Sequence, residues 1–444
     1  MQLPIELLRS LEGVEGFDKE AFVSVHESEE RVTSIRTNPF KKSEIRNLKS
    51  KIPWTESGHY LSERPSFTFD PLFHAGCYYV QEASSMFLEQ ALKQTVDLSL
   101  PLRVLDLCAA PGGKSTHLLS LIPGESLLVS NEVIRSRANI LNDNIVKWGC
   151  SNVVVTNNDP RDFQRLKNYF DVIVVDAPCS GSGLFRRDAE AIEEWSEQNV
   201  ALCSQRQQRI LADVLPALKN GGVLIYSTCS YSKQENELIG EWLEDELKIK
   251  NEKLKIDSDW GMIESEYGYR FWPDKVKGEG FFIACFKKSH VDDEEKYLPK
   301  VKPDKFSSQE MEILNKNVNT DGISFLRHAE IIYAVPEKLL ADINFLSSKL
   351  RVVNCGTKVG EIIRNKLIPD HALALSNIIS DKIQKVELDT EQAIQYLKKK
   401  ELSLETDEKG WSLVTFQGYP LGWVNILPNR INNYYPKELR ILKD

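Results

Sequence analysis

The chain has 444 residues, of which 41% are hydrophobic and 27% charged, with a formal net charge of −9. That length exceeds one ordinary core and predicts two or three domains of a soluble protein. Its apolar runs stop well short of the roughly 20 residues of a membrane span. Its eight cysteines form no C-x-x-C pair, and its first residues lack a basic start before an apolar core. Membrane, zinc-site, disulfide and secretory readings are therefore set aside, and free thiols point to the cytoplasm.

About ninety residues of mixed pattern, including SIRTNP (34–39), come first. A regular alternation follows. Strands are predicted at RVLDLC (103–108), LLVSNE (127–132), VVVTNND (153–159), FDVIVVDAP (170–178), GGVLIYSTCS (221–230) and FFIACFKK (281–288). Helical patterns separate them: KSTHLLSLI, residues 135–149, a long stretch from Glu193 to Lys219, and KQENELIGEWLEDEL (233–247). Short apolar strands alternating with helices predict an α/β fold, a parallel sheet covered on both faces. The charged, Pro-containing segment 289–305 reads as a linker, and WSLVTFQGYPLGWVNILPNR (411–430) as part of a small β domain.

Ligands of such sheets bind beyond the carboxyl ends of the strands. Asp106, Glu132, Asp159, Asp176 and Cys229 fall at those ends. After the first strand, AAPGGKST places Gly112 and Gly113 where backbone approaches a ligand, followed by the free N–H groups of a helix start. Neither G-x-G-x-x-G nor the P-loop spacing is present. Glu132 suits the hydroxyls of a ribose, and Asp159 an exocyclic amino group. A nucleoside cofactor without a long phosphate chain fits, and S-adenosylmethionine is one.

Two cysteines lie just past strand ends, Cys179 in DAPCSGSG and Cys229 in YSTCSYS. A thiolate that adds to C6 of a pyrimidine makes C5 nucleophilic enough to accept a methyl group. Asp176 is expected to bind the cytosine amino edge, and Lys114 to hold a thiolate by its charge. Either cysteine qualifies on these grounds. The acidic average counts against a nucleic-acid partner, so RNA would need local basic groups. Lys41-Lys42, Arg186-Arg187 and Arg206 to Arg209 are the candidates.

Together LDLCAAPGGKST, DAPCSGSG and YSTCS resemble the Sun-type RNA cytosine-5 methyltransferases, as do RTNP (36–39), QEASSM (81–86), R-x-W-P at 270–273 and GEGFF (278–282). The resemblance implies that Cys229 attacks C6 and that Cys179 assists breakdown of the covalent intermediate. It implies S-adenosylmethionine contacts from Cys108, Ala109, Ala110, Pro111, Gly112, Gly113, Lys114, Glu132, Arg137, Asp159 and Asp176, with no metal. Residues 356–376 and 422–437 resemble the tail of the RsmF subgroup, with Asn425, Asn429 and Asn433 where better-known members carry more Gly and Lys.

The expected architecture is a Rossmann-like S-adenosylmethionine-dependent core (91–289). An N-terminal RNA-binding region (1–90) precedes it. A linker with a first C-terminal subdomain (290–385) and a PUA-like RNA-binding domain (386–444) follow. The expected substrate is a cytosine of ribosomal RNA or of the small subunit, met by a monomer. Transfer RNA or large-subunit RNA as substrate, an RNA-binding assembly factor without activity, and a dinucleotide dehydrogenase are the alternatives.

Overall fold

The computed structural model describes residues 3–28, 30–289 and 301–443, so most of the expected linker lies outside the described residues. Strands β1 (Ser34–Thr37), β2 (Leu48–Lys51), β3 (Gly58–Leu61) and β4 (Tyr78–Val80) make an N-terminal sheet in the order β2-β3-β1-β4. The central sheet starts with β5 (Arg103–Asp106), β6 (Leu127–Asn131), β7 (Val153–Thr156), β8 (Phe170–Asp176) and β9 (Leu218–Thr228), parallel in the order β9-β8-β5-β6-β7. Chain order runs away in both directions from β5, so a crevice opens beyond the carboxyl ends of β5 and β8.

These strands are apolar on both faces because both faces are packed. Val104, Val172, Val174 and Ile225 point into one core, whereas Leu105, Ile173, Val175 and Leu224 point into the other. Each such side chain taken from water contributes roughly 1.5–3 kcal/mol. Four more strands extend the β9 side, β10 (Lys250–Glu252), β11 (Ile263–Glu264), β12 (Tyr269–Phe271) and β13 (Phe281–Lys287), with β13 antiparallel to β9.

The rest of the chain supplies β14 (Ile323–His328), β15 (Ile331–Pro336), β16 (Val352–Cys355), β17 (Thr357–Ile363) and β18 (Lys366–Pro369). Of these, β16 joins the central sheet, antiparallel to β7, and so covers its other edge. A last sheet holds β19 (Lys385–Glu387), β20 (Gly410–Phe416), β21 (Tyr419–Leu427) and β22 (Arg430–Asn433), as the apolar pattern of 411–430 predicts.

Two expectations change. The 233–247 stretch is not one helix: a 3-10 turn, Lys233–Glu235, precedes the helix Glu237–Asp245, and Asn236 between them has φ −120 and ψ −92. Ser232 caps that turn through Gln234 N–H. Two of the candidate RNA-binding cations are also buried. Lys41 donates to the carbonyls of Ala75 and Lys147, both at 2.8 Å, and Arg186 to the Glu30 carbonyl at 2.7 Å and to Glu279. Carbonyls and carboxylates distant in sequence form these cages, which neighbouring residues do not reveal. Arg206 and Arg209 stay exposed.

Candidate active site

The cofactor loop leaves β5 at Asp106. Burial raises the Asp106 carboxyl to about 7, against the opposing hydrogen bond from Ser115 Oγ at 2.7 Å, and the Asp176 charge adds to the rise. Its Oδ1 is buried with no hydrogen-bond partner among the described residues. Cys108 follows, its thiol also pushed up by burial and by Asp106. Gly112 has φ +113, which only glycine adopts readily, and opens the helix Gly113–Leu121.

Arg137 donates to the Ala110 carbonyl at 2.9 Å and lies 3.4 Å from Glu132, so the loop and the end of β6 are tied together. Glu132 Oε1 accepts from Ile134 N–H. Asp159, by contrast, uses its side chain to cap its own turn through Arg161 N–H, at 3.1 Å. An unpartnered carboxylate oxygen, a glycine turn and a second carboxylate one strand away fit a cationic, ribose-bearing ligand.

The N-terminal sheet supports this loop from outside. Arg36 is fully buried, donating to the Gly113 carbonyl at 3.2 Å, to Thr116 Oγ1 at 2.6 Å and to Gln81 Oε1 at 2.9 Å, while stacking on Trp148. The RTNP and QEASSM motifs thus meet each other and the cofactor helix. Tyr79 lies against Gly113, where a Cβ would come 3.3 Å from its ring.

At the next strand ends, Lys114 Nζ lies 2.8 Å from Asp176 Oδ2 and Ser227 Oγ donates to Asp176 Oδ1 at 2.7 Å. Burial works against the Lys114 charge, but Asp176 more than restores it and leaves the ammonium above its ordinary range. Cys229 is within electrostatic reach of that ammonium. The two cysteines, 50 residues apart in sequence, have their sulfurs 2.9 Å from each other. The hydrogen bond to Cys229, then burial, then the charge of Glu235 hold Cys179 as a thiol. The loops approach this closely because Gly183 has no side chain. A Cβ there would sit 2.4 Å from the Gly280 carbonyl and 2.8 Å from that of Cys229.

Beneath the sulfurs is a network that the periodicity of 233–247 conceals. Glu235 is 0% exposed. It accepts from Ser180 N–H at 2.8 Å, Ser180 Oγ at 2.5 Å, Ser230 Oγ at 2.6 Å and Gln207 Nε2 at 3.2 Å. Its one trace in the sequence is that serine follows both site cysteines, Cys179-Ser180 and Cys229-Ser230, a dipeptide found also at Cys150-Ser151 and Cys203-Ser204. Among the described residues no group of three or more His, Cys, Asp and Glu is placed to hold a metal ion.

A sequence model of the 16S rRNA methyltransferase RsmB/F family matches residues 94–287. Models of three RsmF domains match the flanks: the N-terminal domain at 3–83, the first C-terminal domain at 306–376 and the PUA domain at 383–441. The ribosomal RNA small subunit methyltransferase F of Shewanella loihica is 31% identical over 413 residues, 87% of this chain and 83% of that one. The chain belongs to the RsmB/F family.

Another family member, from Aeromonas salmonicida, is 32% identical over 414 residues, covering 87% of this chain and 84% of that one. Among solved structures, a methyltransferase homolog protein from Pyrococcus horikoshii is 27% identical, with TM-score 0.52, covering 64% of this chain and 100% of that one. NSun6 from the same organism, solved with SFG, has TM-score 0.54 at 20% identity over 65% of this chain and 99% of its own, a likeness of fold alone. As in the rest of the RsmB/F family, the cofactor is S-adenosylmethionine and the activity is rRNA methylation.

Proposed function

We propose that this RsmB/F protein methylates C5 of a cytosine in small-subunit ribosomal RNA, with Cys229 as the nucleophile. The observation that carries the reading is the pair of sulfurs 2.9 Å apart at the carboxyl ends of β8 and β9, beside the Lys114–Asp176 ion pair. S-adenosylmethionine supplies an electrophilic methyl group when bound, and Cys108 to Lys114, Glu132, Arg137, Asp159 and Asp176 are the residues proposed to hold it.

Addition of Cys229 Sγ to C6 forms a carbon–sulfur bond and pushes the ring electrons toward C5. Asp176 faces the crevice and receives the cytosine amino edge, while Lys114 stabilises negative charge beside it. Once C5 is alkylated, a base, water in the open crevice, takes the C5 proton; the C–H electron pair returns to the ring as the C6–S bond breaks and Cys229 leaves as thiolate. Cys179, held as a thiol within hydrogen-bond reach of Cys229, assists that elimination by meeting the departing sulfur. Residues 1–90 and 386–444 are proposed to hold the RNA on either side of the core. A cytoplasmic monomer is the proposed working form.

Trapping separates the two thiols. Cys179→Ala is expected to accumulate a covalent protein–RNA adduct that survives denaturing gel electrophoresis, and Cys229→Ala to form none. The opposite pattern would exchange the roles. Neither methyl transfer nor adduct in the wild-type protein itself would favour an RNA-binding assembly factor.

A further inference from the structure

Resting on the reading of Cys229 and Cys179 above, we propose that Glu235 is the positioning residue of this site, a buried carboxylate that fixes the separation of the two thiols. The residue immediately after each cysteine is bonded to this one side chain. Ser180 gives it both a backbone N–H and a hydroxyl, and Ser230 gives it a hydroxyl. The DAPCSG and TCS loops, at the ends of different strands, are thereby referred to a single pair of oxygen atoms.

The carboxylate is itself held from below. Gln207, on the helix Glu197–Val214, donates to Glu235 Oε1 and to the Pro178 carbonyl at 3.0 Å. Tyr226 Oη, on β9, donates to the Glu235 carbonyl at 2.7 Å. Asn236 then spans the turn, donating to the Ser230 carbonyl at 2.8 Å and accepting from Thr228 Oγ1 at 2.6 Å.

Burying a carboxylate is costly, and burial does raise its protonation range against the opposing bonds from Ser180 and Ser230. An apolar side chain would fill the same volume without that cost, but it would leave the Ser180 N–H without an acceptor and the loops free to separate. Glu235 is hydrogen-bonded to neither sulfur, although its charge helps to keep Cys179 a thiol. Its effect passes through the serines to where each thiol stands, Cys229 for its attack on C6 and Cys179 for meeting the departing sulfur.

The test compares Glu235→Ala and Glu235→Gln with the full-length wild-type protein, using small-subunit rRNA transcribed with 5-fluorocytidine in place of cytidine. Fluorine at C5 blocks the elimination and so accumulates the Cys229 adduct. For Glu235→Ala, kcat and the rate of adduct formation are expected to fall together, on the order of 10²-fold. The KM for RNA and the affinity for S-adenosylmethionine should stay within about threefold. Glu235→Gln, which keeps one acceptor oxygen, should recover about tenfold of that loss, and it carries the test if the alanine variant does not fold.

Adduct formation within about twofold of wild type in Glu235→Gln and Glu235→Ala overturns the proposal. So does a parallel loss of kcat, RNA binding and cofactor binding, the mark of a merely structural residue. Cys229→Ala in the same assay keeps the two ideas apart. An adduct there removes the thiol assignment itself, whereas its absence together with an unaffected Glu235→Gln removes only the role of Glu235.

Discussion

At the amino ends of β5 and β8 the charges are spent on one another. Arg103 pairs with Asp342 at 2.6 Å, Lys219 with Asp171 at 2.7 Å, and Lys338 with Glu125, around a cavity of ≈ 280 Å³. Tyr169 Oη also donates to Asp342, at 2.5 Å. At the carboxyl ends of β5 and its neighbour β6, Asp106 keeps a buried oxygen without a partner among the described residues, and Glu132 lies at the long distance of 3.4 Å from its arginine. The first cluster is complete in the protein alone and holds the C-terminal part against the core. The second keeps polar capacity that the described residues do not use. Unsatisfied charge, more than charge or cavity size, distinguishes the working end of this sheet from its structural end.

Substitutions at the two ends should therefore fail in different ways. Cys229→Ala is expected to lower methyl transfer on the order of 10⁴-fold or more while leaving the thermal midpoint near that of wild type, read by methyl incorporation into rRNA. Glu132→Ala should weaken S-adenosylmethionine roughly 10- to 100-fold, the worth of hydrogen bonds to a charged acceptor, and change RNA affinity by less than about twofold. Calorimetric titration with each ligand checks it, and equal losses would deny Glu132 its ribose role.

At the other end, Asp342→Ala strips Arg103 and Tyr169 of a shared acceptor. Urea unfolding should show a loss of about 2 kcal/mol, with the methylation rate per folded molecule unchanged.

The smallest effect is a gain. Burial raises Asp106 from 3.8 to about 7, so the folded chain keeps a proton that the unfolded chain releases. The resulting penalty is absent below pH 4, grows as pH rises toward 7 and then levels off. Asp106→Asn escapes it, and should stabilise the ligand-free protein by on the order of 1 kcal/mol at pH 8 and not at pH 4. A variant no more stable at pH 8 than at pH 4, relative to wild type, would mean that Asp106 is not strained by its surroundings.

The parallel sheet was legible because VVVT and FDVIVVD can be satisfied only by burial on both faces, and the strand ends because the polarity changes abruptly at Asp106, Glu132 and Asp176. Both cysteines were visible for the same reason. Glu235 was not. It sits in KQENELIGEWLEDEL, where acids at helical spacing read as a solvated face, and nearby Ser230 together with the remote Ser180 and Gln207 turns it inward. Lys41 and Arg186 misled in the same direction, since a cation enclosed by remote carbonyls looks in sequence like one facing water. Asn433 is likewise held by the protein itself: its amide donates to the Tyr396 carbonyl and accepts from Tyr435 N–H, which ties the end of β22 to the helix that carries Tyr396. The pattern records which residues are apolar, but long-range polar pairing leaves no period to find.

The strand β16 carries one more consequence. Its register with β7, reinforced by Arg351 N–H to Asn158 Oδ1 at 3.0 Å and Gly356 N–H to the Val153 carbonyl at 2.8 Å, splices the C-terminal part into the sheet that carries the thiols. The two are therefore joined through a shared sheet. If RNA is held at both, as proposed above, it meets them at a set separation, and a slack strand must give up more freedom than a folded target to do so.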